Sequence, residues 1–482
     1  MKDKIISWGV PIGVTLICVA ILLGLVMHER RMNNFPERPL NVEPAKVQQN
    51  QNVTQTPALT PATPFASTAT APTQQTSYKF TGVNVTNLPG SWPCFRGPNH
   101  DDISPEKVAL STDWQKNPPR LLWSLNLGEG YASAAIEQGK VYVLDYDEAH
   151  QEDALRCLSL ANGQEIWRQS YPDPIKRNHG MSRTIPAVSG KYVVSLGPQC
   201  HVLCANADTG KIYWQMDLVK QFGTTVPQWY AGQCPLIDGN NVILAPAGNV
   251  LMIAVNLATG KIVWRTPNPM GWQMTHSSIA EGSFHNQSFY VYCGSGGAVG
   301  VSAKDGSILW QTTDWKVSTA TVPTPICLPD GRIFFTGGYG AGSAMMQMTE
   351  QGGKFSIQTL YRLTPDVFGS DQQTPILYKG YIYGVRSGGE LVCLNLNGQP
   401  QWTSGATRRF GLGPYLIADG LIFIMNDSGV LTMVQATPTA YHEMGDIQIL
   451  SGPDSWGPMA IAGGLLIARD LNRMVCLDMR LH

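Results

Sequence analysis

A tryptophan that recurs about every 46 residues constrains this chain more than any other feature. Five segments align on it: CLSLANGQEIW ending at Trp167, CANADTGKIYW at Trp214, AVNLATGKIVW at Trp264, GVSAKDGSILW at Trp310 and CLNLNGQPQW at Trp402. The spacings are 47, 50, 46 and 92, the last being two repeats of 46. Each segment reads as strand, tight turn, strand. Gly163, Gly210, Gly260, Gly306 and Gly398 supply the positive φ that such a turn needs. Upstream of each hairpin lies a second pair of apolar strands around a glycine turn, as in TIPAVSGKYVVSL and GPYLIADGLIFIM. A unit of four short strands, repeated at this period, is the blade of a β-propeller.

First strands begin near Ala132, Arg183, Gln233, Thr275, Thr324, Thr374, Pro414 and Pro458, which predicts eight blades. Outer strands are marked by Trp167, Trp214, Trp264, Trp310, Tyr361, Trp402 and Glu443, one too few. The chain stops at MVCLDMRLH, after a third strand, while RLLWSLNL carries an unassigned Trp123 one repeat before Trp167. The N-terminal strand is therefore expected to complete the last blade, pairing Trp123 with the strand that holds Cys476. Closing the ring removes the open edges that invite aggregation. The fifth and seventh blades lack the tryptophan-terminated hairpin. The fold class is all-β: an eight-bladed propeller over residues 89–482, closed by an N-terminal strand.

Two further regions precede the ring. Residues 1–32 hold an uncharged stretch, Ile5 to Met27, whose 23 residues reach about 35 Å as a helix, enough to cross a bilayer. No small-x-small cleavage site follows it, so it reads as an uncleaved transmembrane signal anchor. Residues 33–88 are rich in Pro, Thr, Gln and Ala and read as a disordered linker. Together they predict a single-pass protein of the bacterial inner membrane with its propeller in the periplasm.

The net charge of −1 offers no basic field for nucleic acid. Ten cysteines follow no metal spacing, and no C-x-x-C occurs. Four of them share one repeat position and read as small buried apolar residues, with a disulfide left open by the oxidising compartment.

The hairpin A-x-D-x-x-T-G-x-x-x-W resembles the repeat of the quinoprotein alcohol dehydrogenase superfamily and of BamB-like propellers; CANADTGKIYW is its nearest copy, with Asn206 where the family often has Asp. SWPCFRGPNHDDISPE also looks like a segment of BamB-like proteins. The resemblance implies either a scaffold in envelope assembly or an enzyme that uses pyrroloquinoline quinone (PQQ) and Ca²⁺. The enzyme needs a calcium site rich in carboxylates and a carboxylate base. The dehydrogenases' vicinal cysteine pair is absent. The adjacent acids Asp101-Asp102, Asp147-Glu148 and Glu152-Asp153 read as solvated loops.

Candidate binding residues stand before the first strands, at the mouth of the central channel: Tyr131, His179, Arg183, Trp229, Tyr230, His276, Asp371, Gln372, Gln373, Arg409 and Trp456. Polar, aromatic and charged groups converging on a concave mouth suit a ligand or peptide. No metal set and no catalytic residue is assigned. The first expectation is a non-catalytic binding or assembly scaffold with a protein partner in the cell envelope and no cofactor. The alternatives are a PQQ-dependent oxidoreductase and a small-ligand or polysaccharide binder.

Overall fold

The computed structural model describes residues 68–70, 78–82 and 88–481. These residues form eight antiparallel sheets, one per repeat, arranged as a propeller. The inner strand of blade 1 is Ala135–Glu137; those of blades 2 to 8 are Ala187–Ser189, Leu236–Asp238, Ala280–Phe284, Ile326–Cys327, Ile376–Tyr378, Tyr415–Ala418 and Ala460–Ala462. Inner strands of neighbouring blades pack together and line the axis, that of blade 8 against that of blade 1. The ring closes as the repeat count requires. Strand Arg120–Asn126 pairs with Arg473–Asp478, and Trp123 lies opposite Cys476.

The tryptophan stands near the start of each outer strand, opposite the position that holds Cys157, Cys204, Cys393 and Cys476. A register shift immediately precedes that position in the outer strand of every blade, including the fifth and seventh. The indole packs against the next blade. Trp123, Trp167 and Trp214 donate Nε1–H to the carbonyls of Leu160, Ala207 and Leu257 at 2.8, 3.0 and 2.8 Å. Each ring covers the hairpin glycine of that next blade; a Cβ on Gly210 would stand 2.7 Å from Trp167. Glycine is thus required here for close approach as well as for its positive φ.

Blades five and seven are complete sheets despite their missing tryptophans. Tyr361 takes the tryptophan position in blade 5, and its hydroxyl donates to Leu396 O at 3.1 Å. Gly445 takes it in blade 7, covered by Trp114 from the segment ahead of the ring.

The nine described cysteines are free, and burial raises the thiols at the repeat position. Ile5–Met27 lies outside the described residues; among those described, no helix is long and apolar enough to cross a membrane. Much of the 33–88 stretch lies outside them too. Within it, Thr68–Thr70 adds a fifth strand to blade 1 and Lys79–Phe80 a fifth to blade 8.

One feature was not expected. Residues 92–104 cross the axis. Trp92 bridges Ile136 of blade 1, Pro93 O accepts from Val188 N of blade 2, and Ile103 bridges Ile417 of blade 7. Arg96 donates to Pro375 O beside blade 6 at 3.2 Å. A segment bonded to inner strands from both sides of a ring must run through its middle, so the mouth opens onto a floor.

Candidate functional site

The mouth is built from the loops that lead into the inner strands. These loops brace one another: Tyr131 N and Ala132 N both donate to Ser182 O, at 2.8 and 2.9 Å, and His276 N donates to Thr321 O at 3.1 Å. Blade 1 supplies Tyr131, whose ring stacks on Trp456 of blade 8 with centroids 5.4 Å apart. The Arg183 guanidinium of blade 2 also lies over that ring, 5.2 Å from its centroid. Trp229 and His276, from the entries to blades 3 and 4, approach to 6.0 Å.

Arg183 is the electrostatic centre of this group. Its charge reaches Tyr131, Tyr230, His276 and Tyr339. Burial lowers the guanidinium to about 10. Burial, with Arg183 nearby, takes His276 down to about 4, so the imidazole is neutral at physiological pH. Burial raises the phenols of Tyr131, Tyr230 and Tyr339.

Other candidates do not join this cluster as expected. His179 is exposed; its carbonyl, not its ring, meets Arg183. Arg409 is exposed and donates to Ala406 O at 3.2 Å. Gln373 braces the backbone, donating to Gly411 O and Gly413 O at 3.0 Å. Gln372 is exposed. Asp371 accepts from Ser387 Oγ at 2.7 Å and acts on the nearby Tyr339.

The reading of adjacent acids as solvated loops needs correction. Asp147-Glu148 does lie in a surface turn, where Asp147 meets His150 at 2.8 Å. Asp102, however, is only 14% exposed and meets Arg96 at 2.6 Å on the axial segment. Asp153 is fully buried and accepts from Tyr171 and Ser182 at 2.6 and 2.7 Å. Acid pairs in polar stretches look solvated, and only closure of the ring buries these.

Sequence reasoning also missed Tyr339, Asp427 and Asp454. Tyr339 sits in a turn between two glycines, half exposed at the mouth. Asp427 accepts Trp456 Nε1–H at 2.7 Å, and Asp454 lies 3.2 Å from the Tyr131 hydroxyl. Two clefts open at the opposite end of the ring. One of about 540 Å³ lies between residues 103–109 and the inner turns of blades 6 and 7. The other, of about 400 Å³, is lined by Asp238, Glu281, Tyr290 and Cys327.

The repeat, the ring and its closure agree with the comparisons to known proteins. The family described as outer membrane protein assembly factor BamB matches residues 151–404, more than half of the chain. The chain belongs to this family. Among solved structures it is similar to BamB from Moraxella catarrhalis, at 12% identity and a TM-score of 0.53, over 76% of this chain and 98% of that one. A europium-containing methanol dehydrogenase matches at 12% identity and 0.44, over 80% and 89%. The quinohemoprotein alcohol dehydrogenase from Comamonas testosteroni matches at 10% and 0.44, over 80% of each. At such identities the likeness is one of fold. No curated protein matches the sequence.

Among the described residues, the side chains at the mouth do not supply the carboxylate set that Ca²⁺ takes. Calcium takes six to eight oxygens, with carboxylates among them. Among the described residues no three His, Cys, Asp or Glu side chains converge as metal ligands. The mouth's acids are engaged singly: Asp371 by Ser387, Asp427 by Trp456 and Leu412 N, and Asp454 by Tyr131. A cation there would also face the charge of Arg183.

Proposed function

We propose that this BamB-family propeller is a non-catalytic binding or assembly module of the cell envelope, tethered by Ile5–Met27 to the bacterial inner membrane and facing the periplasm. The observation that carries this reading is the mouth itself. It offers aromatic faces and one guanidinium without a carboxylate, while each acid is spent on a neighbouring Ser, Tyr, Trp or backbone N–H. That surface suits recognition.

Reconstitution of the full chain with PQQ and Ca²⁺ tests the reading. Neither stoichiometric quinone absorbance nor dye-linked alcohol oxidation is expected. If oxidation appears, and Asp371→Asn abolishes it in a folded protein, the chain is an oxidoreductase. The tether has its own check: N-terminal sequencing of the mature protein returns residues before Ile5, whereas a start inside residues 33–88 means that the segment is cleaved.

A further inference from the structure

We propose that Arg183 anchors a site at the mouth for a carboxylate carried on a flat apolar body. This rests on the reading of the ring as a binding module and names the chemistry of what it binds.

The first ground is an unbalanced charge. Arg183 Nη2 donates to the carbonyls of Asn178, His179 and Gly180, which pins one corner of the guanidinium to its own loop. Its Nε–H is buried and has no acceptor. No carboxylate of the described residues lies within ion-pair distance. The other guanidiniums of the interior are compensated. Arg96 has Asp102, and Arg156 has Asp145 and Glu165. Arg469 lacks a carboxylate too, but four carbonyls, those of Asp470, Ala132, Gly128 and Leu471, take up its donors. Among these arginines, Arg183 alone leaves a buried donor idle. A half-buried cation without a counter-ion is less well solvated than a free one, and an anionic ligand offsets that when it binds.

The second ground is independent. His276 Nε2 is also buried without a partner. It stands near enough to feel the Arg183 charge, and its neutral ring adds none of its own. A carboxylate with one oxygen toward Arg183 leaves a second oxygen for a neighbouring N–H. The aromatic surfaces decide what the carboxylate is attached to. Trp229 stands beside His276, and the Tyr131–Trp456 stack and Tyr339 stand around Arg183. These faces suit an apolar, planar body. One guanidinium, with Asp371 and Asp454 at the same mouth, suits a single negative charge better than a dianionic phosphate.

A carboxylate on an aromatic body has two sources, a free aromatic acid or a polypeptide that ends in an aromatic residue. Calorimetry on the detergent-solubilised full chain distinguishes them with four probes: benzoate, benzamide, a tetrapeptide ending in Phe with a free C-terminus, and the same peptide amidated. At least one carboxylate binds, and its amide partner binds about 10- to 100-fold more weakly. Binding of benzoate points to a free acid; binding of the peptide alone points to a chain terminus. Arg183→Leu loses the binding while the melting temperature stays the same or rises, because a half-buried charge is removed. Equal binding of acid and amide, no binding of either acid at millimolar concentration, or undiminished binding by Arg183→Leu overturns the proposal. A sharp loss of stability in Arg183→Leu makes the residue structural and overturns it too. Quinone-dependent oxidation, by contrast, would remove the non-catalytic reading and not this one.

Discussion

Arg96 and Arg183 both carry a guanidinium into the middle of the ring, one on the segment that crosses the axis and the other at the mouth. Arg96 is 6% exposed, meets Asp102 at 2.6 Å and donates to Pro375 O. Arg183 rests on three carbonyls of its own loop, lies over Tyr131 and leaves Nε–H idle. The same side chain is thus part of the architecture at one level of the channel and available chemistry at the other. The difference lies in what surrounds the charge. Burial alone does not make a residue functional; what sets Arg183 apart is an idle donor with no counter-ion.

The largest effect should come from breaking the compensated pair. Asp102→Ala strands Arg96 in the channel and should cost about 3–5 kcal/mol of stability. Arg183→Leu should change stability by less than about 1 kcal/mol in either direction. Chemical denaturation of both variants checks this. Equal losses would erase the distinction between the two arginines, and the axial segment would then be no more of a brace than the mouth loop.

Asp153 provides a second contrast, as a carboxylate that pairs with no cation. Burial raises it to about 7, and the nearby Asp173 and Asp145 add to this, against the hydrogen bonds from Tyr171 and Ser182. Asp173 is raised to about 6, also mainly by burial. A carboxyl whose folded pKa exceeds its unfolded value of about 3.9 holds its proton more tightly when folded. Its contribution is fully present below the unfolded pKa and is lost as pH rises through the folded one. Stability should therefore fall between pH about 4 and 8. Asp153→Asn should flatten that fall by about 2–4 kcal/mol, measured by denaturant unfolding across the range. A slope that persists unchanged would mean that Asp153 is paired or hydrated in solution. Because Ser182 both binds Asp153 and precedes Arg183, the variant also shows whether the mouth loop depends on that carboxylate.

The parts of the molecule that could be read in advance are those that repeat. Eight blades, the closure by Trp123 opposite Cys476 and the buried cysteines all follow from one spacing, because a propeller reuses one packing solution in every blade. At the mouth, Tyr131, Arg183 and Trp456 come together, and Trp229 meets His276. Direction could not be read in advance. His179 and Arg409 occupy similar places in their loops, yet His179 offers only a carbonyl to the cluster and Arg409 lies exposed beside Ala406. Residues 92–104 were hidden for a different reason. They repeat nothing and form only isolated bridges, and their charged pair Arg96 and Asp102 is enclosed by the ring that closes around it.

The smallest predicted effect carries the contrast between compensated and idle groups out to the wall of the ring. Trp214 and Trp310 hold equivalent positions opposite Cys204 and Gly300, and both are buried. Trp214 donates to Leu257 O across the blade boundary at 2.8 Å. The indole N–H of Trp310 has no acceptor, because the hairpin of blade 5 departs from the repeat. The glycines at its tip, Gly352 and Gly353, stand in open space and not beneath an indole. Replacing either tryptophan with Phe removes part of a large buried ring, but only at Trp214 does it also remove a hydrogen bond and strand a carbonyl. Trp214→Phe should therefore cost about 1–2 kcal/mol more than Trp310→Phe, measured by denaturant unfolding. A difference of zero would mean that ring packing alone joins the blades. A larger loss at Trp310 would mean that its N–H finds an acceptor in solution, and that the idle state of Arg183 Nε should be doubted on the same ground.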